Sequence, residues 1–232
     1  MRITKRSLLL LLATIAIIIG TLAAGRMMQE RSKPPRRSPL VIDRAKREIR
    51  IAATVHAGHL SRRWVQPGHH SVVWKNGRAR RGALFLSEAS DEDVRTALIA
   101  LGAKPGENLT EATWNARADP GNSEPDKRVE GTPVDVLVEW AGSGKAIPLG
   151  DLIAENGRPA QFDFRFGGNE RFRKDFQSGC IVCNYSCPGG AIGNRNRTIR
   201  EEEKLGPIFT AVSSRLPPDG SDVTVILKLR AQ

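Results

Sequence analysis

Apolar residues recur at every second position in five separate stretches of this chain and at helical spacing in only one. That imbalance restricts the fold more than any other feature. A parallel strand pair normally needs a crossover of a dozen or more residues, usually a helix, and a single helix cannot serve several such pairs. The sequence therefore predicts an α+β fold: one mostly antiparallel, β-rich domain with one clear helix and a Cys-rich loop, behind an N-terminal hydrophobic signal or anchor.

Residues 40–43 and 47–55 read as a hairpin, with Ile49, Ile51 and Ala53 inward and Arg50 outward. His70, Val72 and Trp74 share one face of the next strand, which ends at the hairpin-turn dipeptide Asn76-Gly77 and returns over residues 83–87. Ser90 caps a helix whose first turn carries Asp91, Glu92 and Asp93; Val94, Ala97, Leu98 and Leu101 form its apolar face until Gly102 stops it. Residues 113–132 have little periodicity and many turn formers, so they read as a long surface loop. Val134, Val136, Val138 and Trp140 then alternate into a Gly-Ser-Gly turn at 142–144. Phe162, Phe164 and Phe166 form one more alternating set, and Val223, Val225, Leu227 and Leu229 another.

The N-terminus has a different character. Residues 8–24 are seventeen uncharged, mostly apolar residues behind Arg2, Lys5 and Arg6, which makes residues 1–25 a signal peptide or a membrane anchor. Lys5 and the five leucines set the segment apart from twin-arginine export signals, and export with an uncleaved anchor is the reading adopted. Residues 26–39 form a basic, Pro-containing linker, and residues 40–232 the folded domain. The expected location is the bacterial cell envelope, with the domain outside the cytoplasm, or periplasmic or secreted if the signal is cleaved. Residues 1–39 hold eight basic residues against the single acid Glu30, so they account for seven of the eleven net positive charges. The rest of the chain has no basic stripe interleaved with aromatics, and no nucleic-acid partner is expected.

All three cysteines lie within eight residues, in the segment 179–190: Gly179-Cys180-Ile181-Val182-Cys183-Asn184-Tyr185-Ser186-Cys187-Pro188-Gly189-Gly190. C-x2-C turns two thiolates toward one ion or cluster, and the following x3-C-P supplies a third sulfur where proline bends the chain. Cys180, Cys183, Cys187 and Pro188 match the last three cysteines and the proline of the bacterial ferredoxin run C-x2-C-x2-C-x3-C-P, the run that serves 4Fe–4S clusters; Gln177 stands at the position of its first cysteine. A cluster or ion here has three thiolates and either a non-cysteine fourth ligand or an open site. His69 and His70, placed before a strand, are the candidates for that ligand, although strand alternation turns only one of such a pair inward. A His-His pair at a strand start also serves as surface or hydrogen-bonding material, and His56 and His59 rank below both. Zinc suits a Cys3His set as well as iron–sulfur does. A disulfide between two of the cysteines and a thioredoxin-like role for Cys180-x-x-Cys183 are the other readings of these residues.

Several motifs together resemble a known family. His69-His70-Ser71-Val72-Val73-Trp74, Gly82-Ala83-Leu84-Phe85-Leu86, the stretch from Ala97 to Gly106, Phe164-Arg165-Phe166-Gly167-Gly168-Asn169 and the cysteine segment resemble, in order, the YdjY-like family of bacterial envelope proteins over about residues 40–231. The resemblance implies a metal-binding or ferredoxin-like domain with Cys180, Cys183 and Cys187 as ligands and Pro188 shaping their loop. It carries over no reaction. The three glycosylation sequons, at Asn108, Asn184 and Asn196, are short enough to arise by chance, and no Ser-His-Asp order, phosphate-cradling loop or paired carboxylate site stands out, so no enzymatic activity is assigned. The leading expectation is a membrane-anchored electron carrier or accessory redox subunit with a redox protein partner. The alternative is a non-redox structural or interaction module whose cysteine loop is a zinc knuckle or disulfide.

Overall fold

The computed structural model describes residues 39–59, 68–123, 125–206 and 208–230. The apolar run at 8–24 and the linker up to residue 38 lie outside them, and so does the side chain of His59. No helix among the described residues is long and apolar enough to cross a membrane.

β1 (Leu40–Asp43) and β2 (Glu48–Val55) form the expected hairpin, with Leu40 opposite Ile51 and Asp43 opposite Glu48. Ile49, Ile51, Ala53 and Val55 of β2 are buried, as their alternation requires. β2 pairs on one edge with β13 (Asp222–Leu229), which pairs in turn with β5 (Val134–Glu139); β5 turns at Gly142–Gly144 into the short β6 (Ile147–Pro148). From the other edge of β2 the same sheet continues through β4 (Ala83–Ser87), β3 (His70–Trp74), β10 (Cys180–Cys183), β11 (Gly190–Asn194) and β9 (Phe164–Phe166). It curls until β9 returns to the residues just before β5, where Pro133 bridges Arg165 and the Phe166 amide donates to the Thr132 carbonyl at 2.9 Å. A second sheet joins β7 (Ile153–Glu155), β8 (Arg158–Pro159) and β12 (Phe209–Ala211).

The predicted helix is α1 (Asp91–Ala100): the Ser90 hydroxyl accepts from the Asp93 amide while the Asp93 carboxylate accepts from the Ser90 amide, and Val94, Ala97 and Leu98 are buried. Four shorter helices accompany it among the described residues: α2 (Glu111–Asn115), α3 (Leu149–Leu152), α4 (Glu170–Phe176) and α5 (Ile199–Leu205). α2 and a following 3-10 turn occupy the first part of what the sequence reads as a surface loop. α4 is fixed to the start of α1 by the buried Arg173, whose guanidinium donates to Asp91 at 2.6 Å and to the Gly168 carbonyl at 3.2 Å. α4 leads directly into the cysteine segment.

The sheet is mostly antiparallel, as expected, but two neighbouring pairs depart from the pattern. β3 and β4 are parallel, so Asn76-Gly77 does not close a hairpin. The Gly77 amide does close a turn onto the Trp74 carbonyl, yet its φ of −69° is not the positive value that a tight hairpin turn demands, and a 3-10 stretch at Arg78–Gly82 carries the chain back alongside β3. Glycine is needed at 77 for another reason. A Cβ there would meet the Ser178 carbonyl oxygen at 2.4 Å and the Gly179 Cα at 2.7 Å, so the turn after β3 lies backbone against backbone on the entry to β10. Gly77→Ala should therefore lower stability by about 1–3 kcal/mol, read as a fall in the urea midpoint. An unchanged midpoint would mean that the two backbones are not held this closely.

Candidate metal centre

The second departure builds the site. β10 and β11 are parallel, with Cys180 opposite Gly190 and Cys183 opposite Gly193, although only residues 184–189 connect them. The connection runs back along β10 and returns Cys187 to the level of Cys183. Gly190 permits this closeness: a Cβ there would lie 2.9 Å from the Cys183 Cβ and 3.7 Å from the Cys180 Sγ.

Two side chains three apart on a regular strand point to opposite faces. Here the register of β10 against β3 shifts on either side of Val182, and this irregularity brings Cys180 and Cys183 onto one centre. Cys183 stands opposite His70. All three cysteines are free and buried.

Both histidines reach the thiols, which corrects the expectation that only one could point inward. His70 begins β3 and places its Nδ1 3.2 Å from the Cys180 Sγ. His69 precedes the strand, so the pleat does not dictate its direction; it is buried, its ring centroid 4.1 Å from that of His70. Two donor groups result, His69 with Cys183 and Cys187, and His70 with Cys180 and Cys183, the ligand atoms within each lying less than 4.8 Å apart. His56, by contrast, has its Nδ1 3.3 Å from the Ala83 carbonyl and belongs to neither group, and Gln177 is exposed at the end of α4.

The surroundings hold these groups in place. Glu202, on α5, meets the His69 Nδ1 at 2.5 Å, the carboxylate–imidazole arrangement that orients a metal-ligating histidine and fixes its other nitrogen toward the ion. Asn184, itself buried, donates from its side chain to the Gly68 carbonyl at 2.7 Å and accepts from the Ser71 hydroxyl at 2.6 Å. Ser178 donates to the Gly189 carbonyl at 2.7 Å and accepts from the Cys180 amide at 3.1 Å, tying the two ends of the cysteine segment together. Glu202 escapes a search for ligand motifs, since it belongs to neither the cysteine nor the histidine motif. The signal that α5 exists is the capping box of Thr198 and Glu201. Above the thiols is a cleft of about 310 Å³, with Cys187, both histidines, Trp114, Phe176 and Arg78 in its wall.

The electrostatics separate the two imidazoles. Burial disfavours the charged form of His69, but hydrogen bonds to Cys187 and Glu202 outweigh it and push its pKa up to about 10. Glu202 is the partner that acts at neutral pH, because the contact with Cys183 and burial hold the Cys187 thiol well above its ordinary value. Burial also raises Cys183. Burial and the neighbouring His69 charge push His70 down, leaving it neutral, the form in which imidazole binds metals.

A curled antiparallel sheet gathering three thiols and two imidazoles beneath a cleft defines a domain with a potential soft-metal centre. The family profile described as YdjY domain matches residues 40–228, and the chain belongs to that family. It is 33% identical over 162 residues to the uncharacterized protein YdjY of Escherichia coli (strain K12), an alignment covering 69% of this chain and 67% of that one. No solved structure matches.

In the metal-free protein, a histidine with a folded pKa of about 10 against 6.5 for the free side chain adds stability that is whole below pH 6.5 and is lost as the pH rises through 10. Urea denaturation across that range should show stability falling in the wild type, with a shallower fall and a lower starting value in Glu202→Gln. Equal slopes would mean that Glu202 does not raise the His69 pKa.

Proposed function

We propose that this protein is a membrane-anchored envelope protein that holds an iron–sulfur cluster or a redox-active metal ion on Cys180, Cys183 and Cys187, with His69 and His70 beside them, and works as an electron carrier or accessory redox subunit. One observation carries the reading: the chain's three cysteines meet two histidines in a buried position beneath a cleft. A core built only for stability has no need to bury five such donors together, since apolar residues of similar volume pack there without desolvating polar groups.

A bound iron or copper centre supplies a reversible one-electron change. The chain's own residues do the rest. Cys180, Cys183 and Cys187 provide thiolates, His70 provides a neutral nitrogen, Glu202 orients His69, and the burial of Cys180 and Cys183 keeps water from the sulfurs. Trp114 and Phe176 give the cleft an apolar wall where a redox protein partner can approach Cys187. The apolar run at residues 8–24 is the membrane attachment in this reading. The close spacing within each donor group suits bare ions or a small cluster better than a 4Fe–4S core, whose irons and sulfides spread its ligand sulfurs apart.

The same spacing also suits a tetrahedral zinc ion, the basis of a structural reading. The full-length chain purified without oxygen distinguishes the two by metal and acid-labile sulfide content and by its visible spectrum. Iron with sulfide and an absorbance that bleaches on reduction and is lost in Cys187→Ser, or copper(I) without visible colour, is expected. Zinc alone, or no metal and a disulfide, would leave a structural or binding module.

A further inference from the structure

The five donors fall into two overlapping groups rather than one. Each outer sulfur, Cys180 and Cys187, shares a group with Cys183, and no group contains all three sulfurs. A single tetrahedral ion with metal–sulfur bonds of about 2.3 Å needs its ligand sulfurs roughly 3.8 Å apart, so all three would have to fall in one group. Instead the sulfurs are linked in order through Cys183, with His70 by Cys180, His69 by Cys187 and the two imidazole rings packed together at 4.1 Å between centroids.

We propose that this linked set is a two-ion site, in which the Cys183 thiolate bridges two copper(I) ions, one held also by Cys180 and His70 and the other by Cys187 and His69. The proposal rests on the reading of the cysteine segment as a metal centre and adds to it the number and kind of ions. Each ion receives two sulfurs and one nitrogen. Soft thiolates select copper(I), whereas structural zinc is almost always four-coordinate, and the Glu202 carboxylate that could complete such a set is engaged with His69. Copper enters and remains monovalent; three thiol protons and the second ring proton of His69 leave to the buffer as three thiolates and a neutral His69 form, and nothing is oxidised or reduced. The cleft that opens on Cys187 and both histidines is the entry route.

The linkage through Cys183 gives each cysteine a distinct consequence when it is removed. Reduced, metal-free full-length chain is titrated without oxygen with copper(I) held by a coloured competing chelator, and the copper withdrawn per chain is read from the loss of colour. Wild type should withdraw two equivalents. Cys180→Ser and Cys187→Ser should each withdraw one, and Cys183→Ser none at the same chelator concentration. His70→Ala and His69→Ala, which leave the thiols in place, should each lose one ion and serve as the check wherever circular dichroism finds a cysteine variant unfolded. One equivalent in wild type, lost in every cysteine variant, would overturn the pair in favour of one shared ion. Iron and sulfide bound in place of copper would overturn the copper pair and leave the redox-metal reading standing. A chain that takes up no metal of any kind would overturn both.

Discussion

The thiol centre depends on one backbone constraint, a parallel strand pair closed by six residues. Parallel neighbours ordinarily need a long crossover because the chain must return the full length of the first strand before the second begins. β10 is only four residues long, so residues 184–189 can make that return, and they do so in contact with the strand they leave. The return brings Cys187 beside Cys183. Glycine at 190 makes room for it, and the hydrogen bonds of Ser178 and Asn184 fasten both ends. The parallel β3–β4 pair, also joined by a short segment, sets His69 and His70 against the same strand.

The consequence is a preorganised set of soft donors. Burial and their mutual contact keep the metal-free Cys183 and Cys187 thiols protonated, and burial keeps His70 neutral, so a metal would have to displace protons to enter, which favours ions that bind sulfur strongly. Glu202 acts from a different element, α5, and couples the folding of that helix to the orientation of His69. The cleft opens on Cys187 and both histidines.

Much of this was legible in the sequence, for physical reasons that differ by element. β2, β5 and β13 alternate because one face of each meets the core, and α1 has three turns of periodicity, a capping box and a stopping glycine. α4 and α5 are too short for their apolar spacing to rise above that of neighbouring turns, and tertiary contacts such as the buried Arg173–Asp91 pair hold them. Asn76-Gly77 misleads because glycine serves close packing as well as hairpin turns, and only the neighbouring backbone of Gly179 says which. The family resemblance and the cysteine cluster pointed to the centre. The convergence of both histidines did not follow from strand alternation, because it depends on His69 standing just outside β3 and on the irregular register at Val182.

On the proposed reading, a bound metal is held by the sulfurs of the cysteine segment together with imidazole. X-ray absorption at the K edge of whatever metal the full-length chain retains when purified without oxygen tests this most directly. The expected result is a nearest shell of mixed sulfur and nitrogen scatterers, with the nitrogen part showing the outer-shell pattern of imidazole. A shell of oxygen and nitrogen alone, without sulfur, would contradict it.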